Sequence, residues 1–180
     1  MSIWEISREV RSFCLEFKWA AVCVVGMLLW VLVERLVGLH HERLQGLPEV
    51  RQAMMGLFVF CHIACLYEKR KRHYRGAMRY WDGMVCCLAL TILVLVALGP
   101  ATYLMYSAIS PDLLFNLTQY EIANGEFTYQ EVLQRNTLAS HVIDQFTRYI
   151  FYGLGLSLTL PLLASRRLVA FASRISNPLS

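Results

Sequence analysis

Apolar residues fall into four long runs separated by short polar breaks, with a helical prelude in front of the first. Over the first eighteen residues, Ile3, Ile6, Val10, Phe13, Cys14 and Phe17 recur at spacings of three and four, which places them on one helical face. Glu5, Arg8, Glu9, Arg11 and Glu16 take the other faces. The pattern predicts an N-terminal amphipathic helix lying in a membrane interface before the chain turns into the bilayer, with Trp4 and Trp19 as interfacial anchors. The first run, 19–39, is uncharged until Glu34 and Arg35 and is long enough to cross a hydrocarbon core of about 30 Å. It is too long, and its charged exit too abrupt, for a cleaved signal peptide. Glu34 and Arg35 are adjacent and diverge on a helix, so each is expected to meet water or a neighbouring helix.

Gly46-Leu47-Pro48 breaks the chain and opens a second span over 48–67, whose most apolar part is 53–66. The third span, 84–106, has no charge, and Gly99-Pro100 inside it predicts a kink where proline withholds a backbone hydrogen bond. The fourth span, 149–165, contains Gly153 and Gly155, which allow close helix approach, and Pro161, a second expected kink. Between spans three and four lies the one sizeable polar region, 107–148. There Ser110-Pro111-Asp112 reads as a helix start with Ser110 as cap, Asn124-Gly125 as a stop, and Thr128 with Glu131 as a capping box, predicting two short helices against the membrane. The expected fold is therefore all-α: a polytopic membrane protein forming a single membrane domain over 1–180, with four transmembrane helices, an N-terminal amphipathic helix and short helices in the outer loop.

Composition agrees with this pattern, since 57% hydrophobic and 17% charged residues leave too little polar surface to cover a water-soluble globule. Charge sets the orientation. Lys69, Arg70, Lys71, Arg72, Arg75 and Arg79 form a basic anchor between spans two and three, drawn to anionic lipid head groups on the cytoplasmic side. Three basic residues precede the first span and Arg166, Arg167 and Arg174 follow the fourth, so twelve of the seventeen Lys and Arg residues fall on one side. That asymmetry places both termini in the cytoplasm. Basic residues at the ends of apolar runs do not make the aromatic-interleaved patch of a nucleic-acid binder.

Candidate chemistry is sparse. His40, His41 and Glu42 are expected in a solvated turn, because adjacent histidines diverge and a metal needs three or four converging ligands. Cys61, His62 and Cys65 could make a thiolate–imidazole site, but cysteine inside a span is ordinarily a small packing residue, and a single histidine there ordinarily bonds a neighbouring helix. The six cysteines lie in or beside the apolar runs, which is not a disulfide framework. No catalytic, cofactor or metal constellation stands out by spacing.

Phe17-Lys18-Trp19 at the mouth of the first span, the basic run leading to Gly76, an aromatic before Gly83, a glycine-containing third span and Ser110-Pro111-Asp112 together resemble the bacterial membrane family known as domain of unknown function 4199. The resemblance covers most of the chain; the His40-His41 turn and the Cys-rich second span depart from it. It implies four spans and a location in the bacterial inner membrane, and carries over no catalytic residue. The expected function is that of a non-enzymatic scaffold or subunit that associates with itself or with other membrane proteins. A small oligomeric transporter or channel is the alternative, and kinked third and fourth spans are its argument.

Overall fold

The computed structural model describes residues 3–41, 43–125 and 128–164, with side chains from Phe13 onward except at 48 and 49. The expected faces of the first helix up to residue 12, Glu42, Glu126, the tail 168–175 and its arginines lie outside what is described. Among the described residues the fold is all-helical, with six α-helices: α1 (Ile3–Leu36), α2 (Leu47–Arg72), α3 (Tyr80–Leu104), α4 (Leu113–Asn124), α5 (Tyr129–Arg135) and α6 (Leu138–Ala164). A 3₁₀ turn, Leu44–Gly46, precedes α2, and a π-helical segment, Met105–Ile109, continues α3. Three stretches of the described residues, Phe13–Leu36, Leu44–Arg72 and Tyr80–Ile109, are long and apolar enough to cross a membrane. α6 is not among them, because Asp144, Arg148, Ser157, Thr159 and Pro161 dilute its apolar run.

Several expected boundaries move, each for a local reason. No turn separates the N-terminal segment from the first span: α1 runs unbroken from Ile3 to Leu36. It stops before residue 39 because Gly38, at φ +83°, closes a Schellman cap, with Gly38 N–H donating to Arg35 O at 3.0 Å and Leu39 N–H to Glu34 O at 3.0 Å. α2 continues past 67 to Arg72, so Lys69, Arg70, Lys71 and Arg72 form its last turn, where cations face the negative end of the helix dipole. α3 starts at Tyr80, with Asp82 in its first turn. α6 starts at Leu138, inside the region read as loop, because the Thr137 hydroxyl accepts the Ser140 N–H at 3.2 Å and caps it.

The Thr128 and Glu131 capping box forms, with Thr128 N–H donating to Glu131 Oε2 at 2.9 Å, and the Thr128 hydroxyl beside it holds the Glu131 carboxyl below the usual carboxylate range. Gly125 ends α4 in the left-handed region at φ +70°. Ser110 is not the cap of α4: that position belongs to Asp112, and the Ser110 hydroxyl is spent elsewhere. Pro100 sits inside α3, which stays α-helical to Leu104 before widening to the π segment, whose closure is Ser110 N–H to Met105 O at 2.8 Å.

The chain divides into two compact units, one made of Met1–Val22, Val59–Leu93 and Ile150–Ser180, the other of Cys23–Phe58 and Val94–Tyr149. In the first, Gly83 faces Pro161 and Gly153 faces Thr91 so closely that an added Cβ would sit 2.9 and 2.3 Å from those side chains. In the second, Val31, Leu39, Leu44, Leu47, Met105, Tyr106 and Leu113 form a buried apolar cluster.

Candidate functional site

In the first unit the basic anchor divides by burial. Lys69 is 7% exposed and its ammonium is bonded to Glu16, itself 1% exposed. Arg70 folds back onto the Gly76 carbonyl, Nε to O 3.1 Å, and Arg72 pairs with Glu68 at 2.9 Å. Lys71, Arg75 and Arg79 are exposed, the last two in the connection from α2 to α3. Glu68 also accepts from Lys18 Nζ at 2.9 Å and from Trp19 Nε1 at 2.7 Å, so the start of the first apolar run is fastened to the end of α2. Lys71, Arg75 and Arg79 are thus among the exposed cations of the basic run, while Lys69 and Glu16 pair in the interior.

Cys61, Cys65, Cys86 and Cys87 are buried and none is in a disulfide, with Cys65 Sγ and Cys86 Sγ 3.8 Å apart. The Thr91 hydroxyl donates to Cys87 O at 2.9 Å, which commits its proton; His62 Nε2, 3.0 Å from the same oxygen, is therefore the donor in that contact. His62 thus ties α2 to α3 by a side-chain hydrogen bond. No group of three or more His, Cys, Asp or Glu side chains placed to hold a metal occurs among the described residues.

The second unit holds a polar cluster that the spacing of residues did not announce. His40 is not in a solvated turn: it is 0% exposed, with Nε2 3.3 Å from Glu34 Oε2 and Nδ1 2.9 Å from Ser110 Oγ. A carboxylate only accepts, so Nε2 donates to Glu34, and Nδ1 is left to bond the Ser110 hydroxyl. Asn116 Nδ2 donates to the His40 carbonyl at 2.9 Å and also lies 2.9 Å from His41 Nδ1, and Arg35 reaches the Ile109 carbonyl. These bonds fasten the turn after α1 to the π segment and α4. Arg51 Nε approaches Glu34 Oε2 at 4.0 Å, and the Tyr106 ring stacks on His141 with centroids 5.6 Å apart. Burial, reinforced by the Arg51 guanidinium, pushes the His141 imidazole below the ordinary histidine range.

Ser110, His40 and Glu34 stand in the order of nucleophile, base and orienting acid of a hydrolase. Ser110, however, is 2% exposed and its hydroxyl is bonded to His40 Nδ1, so as placed it fastens the π segment to the turn after α1. What the cluster retains is unspent polarity: Glu34 Oε1 and His141 Nε2 are buried without a hydrogen-bond partner among the described residues, while the Tyr106 hydroxyl lies against Arg51. Each such atom costs about 1–3 kcal/mol of desolvation if left unpaired. The signal available in the sequence was a carboxylate inside an apolar run, since ionisable groups at that depth are ordinarily functional or paired.

Among the described residues the fold is all-helical, three helices are apolar enough to cross a membrane, and the buried Lys69 is paired with Glu16, which defines a membrane-helix class of protein. Residues 18–166 match the family described as Protein of unknown function (DUF4199), and the chain belongs to that family. No curated protein and no solved structure matches it.

Proposed function

We propose that this chain is a four-pass protein of the bacterial inner membrane, both termini cytoplasmic, that acts as a non-enzymatic scaffold or subunit binding a second copy or another membrane protein. The observation that carries the proposal is an inversion of side chains relative to a water-soluble fold. Val22, Val25, Leu29, Leu32 and Leu36 on α1, Phe60, Ile63 and Tyr67 on α2, and Val85, Ile92 and Val96 on α3 are exposed, while Glu16, Lys69 and Glu34 on the same helices are buried. α6 repeats the pattern with Phe151, Leu154, Leu158 and Leu163 exposed, which supports it as the fourth crossing despite its diluted apolarity. The polar stretch with α4 and α5 is then the outer loop, and Lys71, Arg75 and Arg79 face anionic head groups inside.

A partner helix has a place to dock. Gly155 leaves a shallow groove of about 310 Å³ bordered by Phe151, Tyr152, Leu156 and Thr159, and an added Cβ there would meet nothing within 4 Å. Small residues flanked by larger ones are how membrane helices approach each other closely. A small transporter is the second reading, favoured by the open polar atoms around Glu34. Native electrophoresis and liposome flux separate the two. The scaffold reading expects the purified chain to migrate as a complex and liposomes to stay tight; a monomeric chain that moves solute overturns it.

A further inference from the structure

Cys65 on α2 and Cys86 on α3 meet sulfur to sulfur, Sγ to Sγ 3.8 Å, and are 0% and 1% exposed. Both belong to the first unit. His62 and Thr91, whose hydrogen bond already ties these helices, lie just before Cys65 on α2 and just after Cys86 on α3, so the two helices run antiparallel past each other. Cys65 stands seven residues before the end of α2 and Cys86 six after the start of α3, which puts both sulfurs about 10 Å along the helix axes from the connection.

Close packing at this crossing needs only small side chains; two thiols in contact add one capacity, which is to lose two hydrogens and become a disulfide. A bond of about 2.05 Å requires the sulfurs to close by less than about 2 Å, a shift within the reach of side-chain rotation. We propose that Cys65 and Cys86 form a reversible disulfide that locks α2 to α3, with a hydroperoxide as the oxidant. The Cys86 sulfur attacks one oxygen of hydrogen peroxide, the O–O bond breaks, and the thiol proton leaves with the other oxygen as water, giving a sulfenic acid. The Cys65 sulfur then displaces that hydroxyl, which departs with the Cys65 proton as a second water, and the S–S bond forms. A dithiol reductant supplies two electrons and two protons to restore both thiols. Burial makes the first attack slower than at the exposed Cys14. The lock needs neither the scaffold nor the transporter reading.

The test uses the full chain in detergent with Cys14→Ala, which removes the exposed thiol. After treatment with hydrogen peroxide the chain is unfolded in dodecyl sulfate and alkylated. The expected product is about 2 Da lighter and takes up the alkylating group on all but two of its remaining thiols, with peptide masses that link Cys65 to Cys86 and dithiothreitol restoring both. The oxidised chain is expected to unfold at a higher temperature than the reduced one, because the crosslink narrows the unfolded ensemble. Cys65→Ala and Cys86→Ala, each a small side chain at a packing position, are each expected to lose the mass shift. The proposal is overturned if every thiol stays alkylatable, if the chain gains oxygen in place of losing hydrogen, if the link joins Cys86 to Cys61 or Cys87, or if the mass shift survives in a helical Cys65→Ala variant.

Discussion

Replacing Glu16 by alanine destabilises the protein by about 3–5 kcal/mol, the largest loss expected from any single substitution in the first unit. The reason is the ammonium left behind. Lys69 is 7% exposed, bonded to Glu16, and held between α1 and α2 where no water can take over the carboxylate's place. A buried ion pair is a poor source of net stability, because desolvating both groups cancels most of their attraction, but breaking it strands one charge. Removing both groups is therefore expected to cost little: Glu16→Leu with Lys69→Met should lie within about 1 kcal/mol of the parent, since well-packed apolar side chains often replace such pairs without loss. Chemical or thermal unfolding of the three proteins in one detergent checks this. A single variant as stable as the parent would mean that Lys69 reaches solvent.

The second large effect contrasts two glycines of α6 that lie two positions apart, Gly153 and Gly155. Gly153→Leu forces a side chain into the space that Thr91 occupies, where even a Cβ would lie 2.3 Å from Thr91 Cγ2, and overpacking of this kind costs about 1–3 kcal/mol or more. The Thr91 hydroxyl also accepts from His62, so the intrusion disturbs that bond between α2 and α3. Gly155→Leu should instead leave the unfolding temperature unchanged, because nothing stands within 4 Å of its added Cβ, and should abolish the complex seen on native electrophoresis by filling the groove beside Phe151 and Thr159. Loss of folding in Gly155→Leu, or a complex that survives it, would remove α6 as the docking face.

The apolar runs made the helices legible, and their ends were legible wherever one residue decides them. Thr128 with Glu131 is such a case, and Gly125 is another, because caps act between residues three or four apart. His40 was not legible in that way. Nothing near it in sequence shows that it is buried, because one partner, Ser110, is seventy residues away and the other, Glu34, reaches it only after the Gly38 cap reverses the chain. The same distance explains Ser110, whose helix-start pattern with Pro111 and Asp112 was outweighed by a bond to an imidazole. Lys69 reads in sequence as one of six equivalent cations, and only packing against Glu16 sets it apart from Lys71 and Arg75. α6 marks the opposite limit, where polar residues within an apolar run leave it outside the described helices apolar enough to cross a membrane.

The decisive measurement is a map of sidedness. A reporter active only outside the cytoplasm is fused in turn after Lys71 and after Ser107, the first in the last turn of α2 and the second in the π segment. Activity after Ser107 and none after Lys71 is the expected result, since a connection as rich in Lys and Arg as the one from Lys69 to Arg79 favours the cytoplasmic side. Activity after Lys71, or a chain that stays in solution without detergent, would contradict the membrane arrangement on which the proposed function stands.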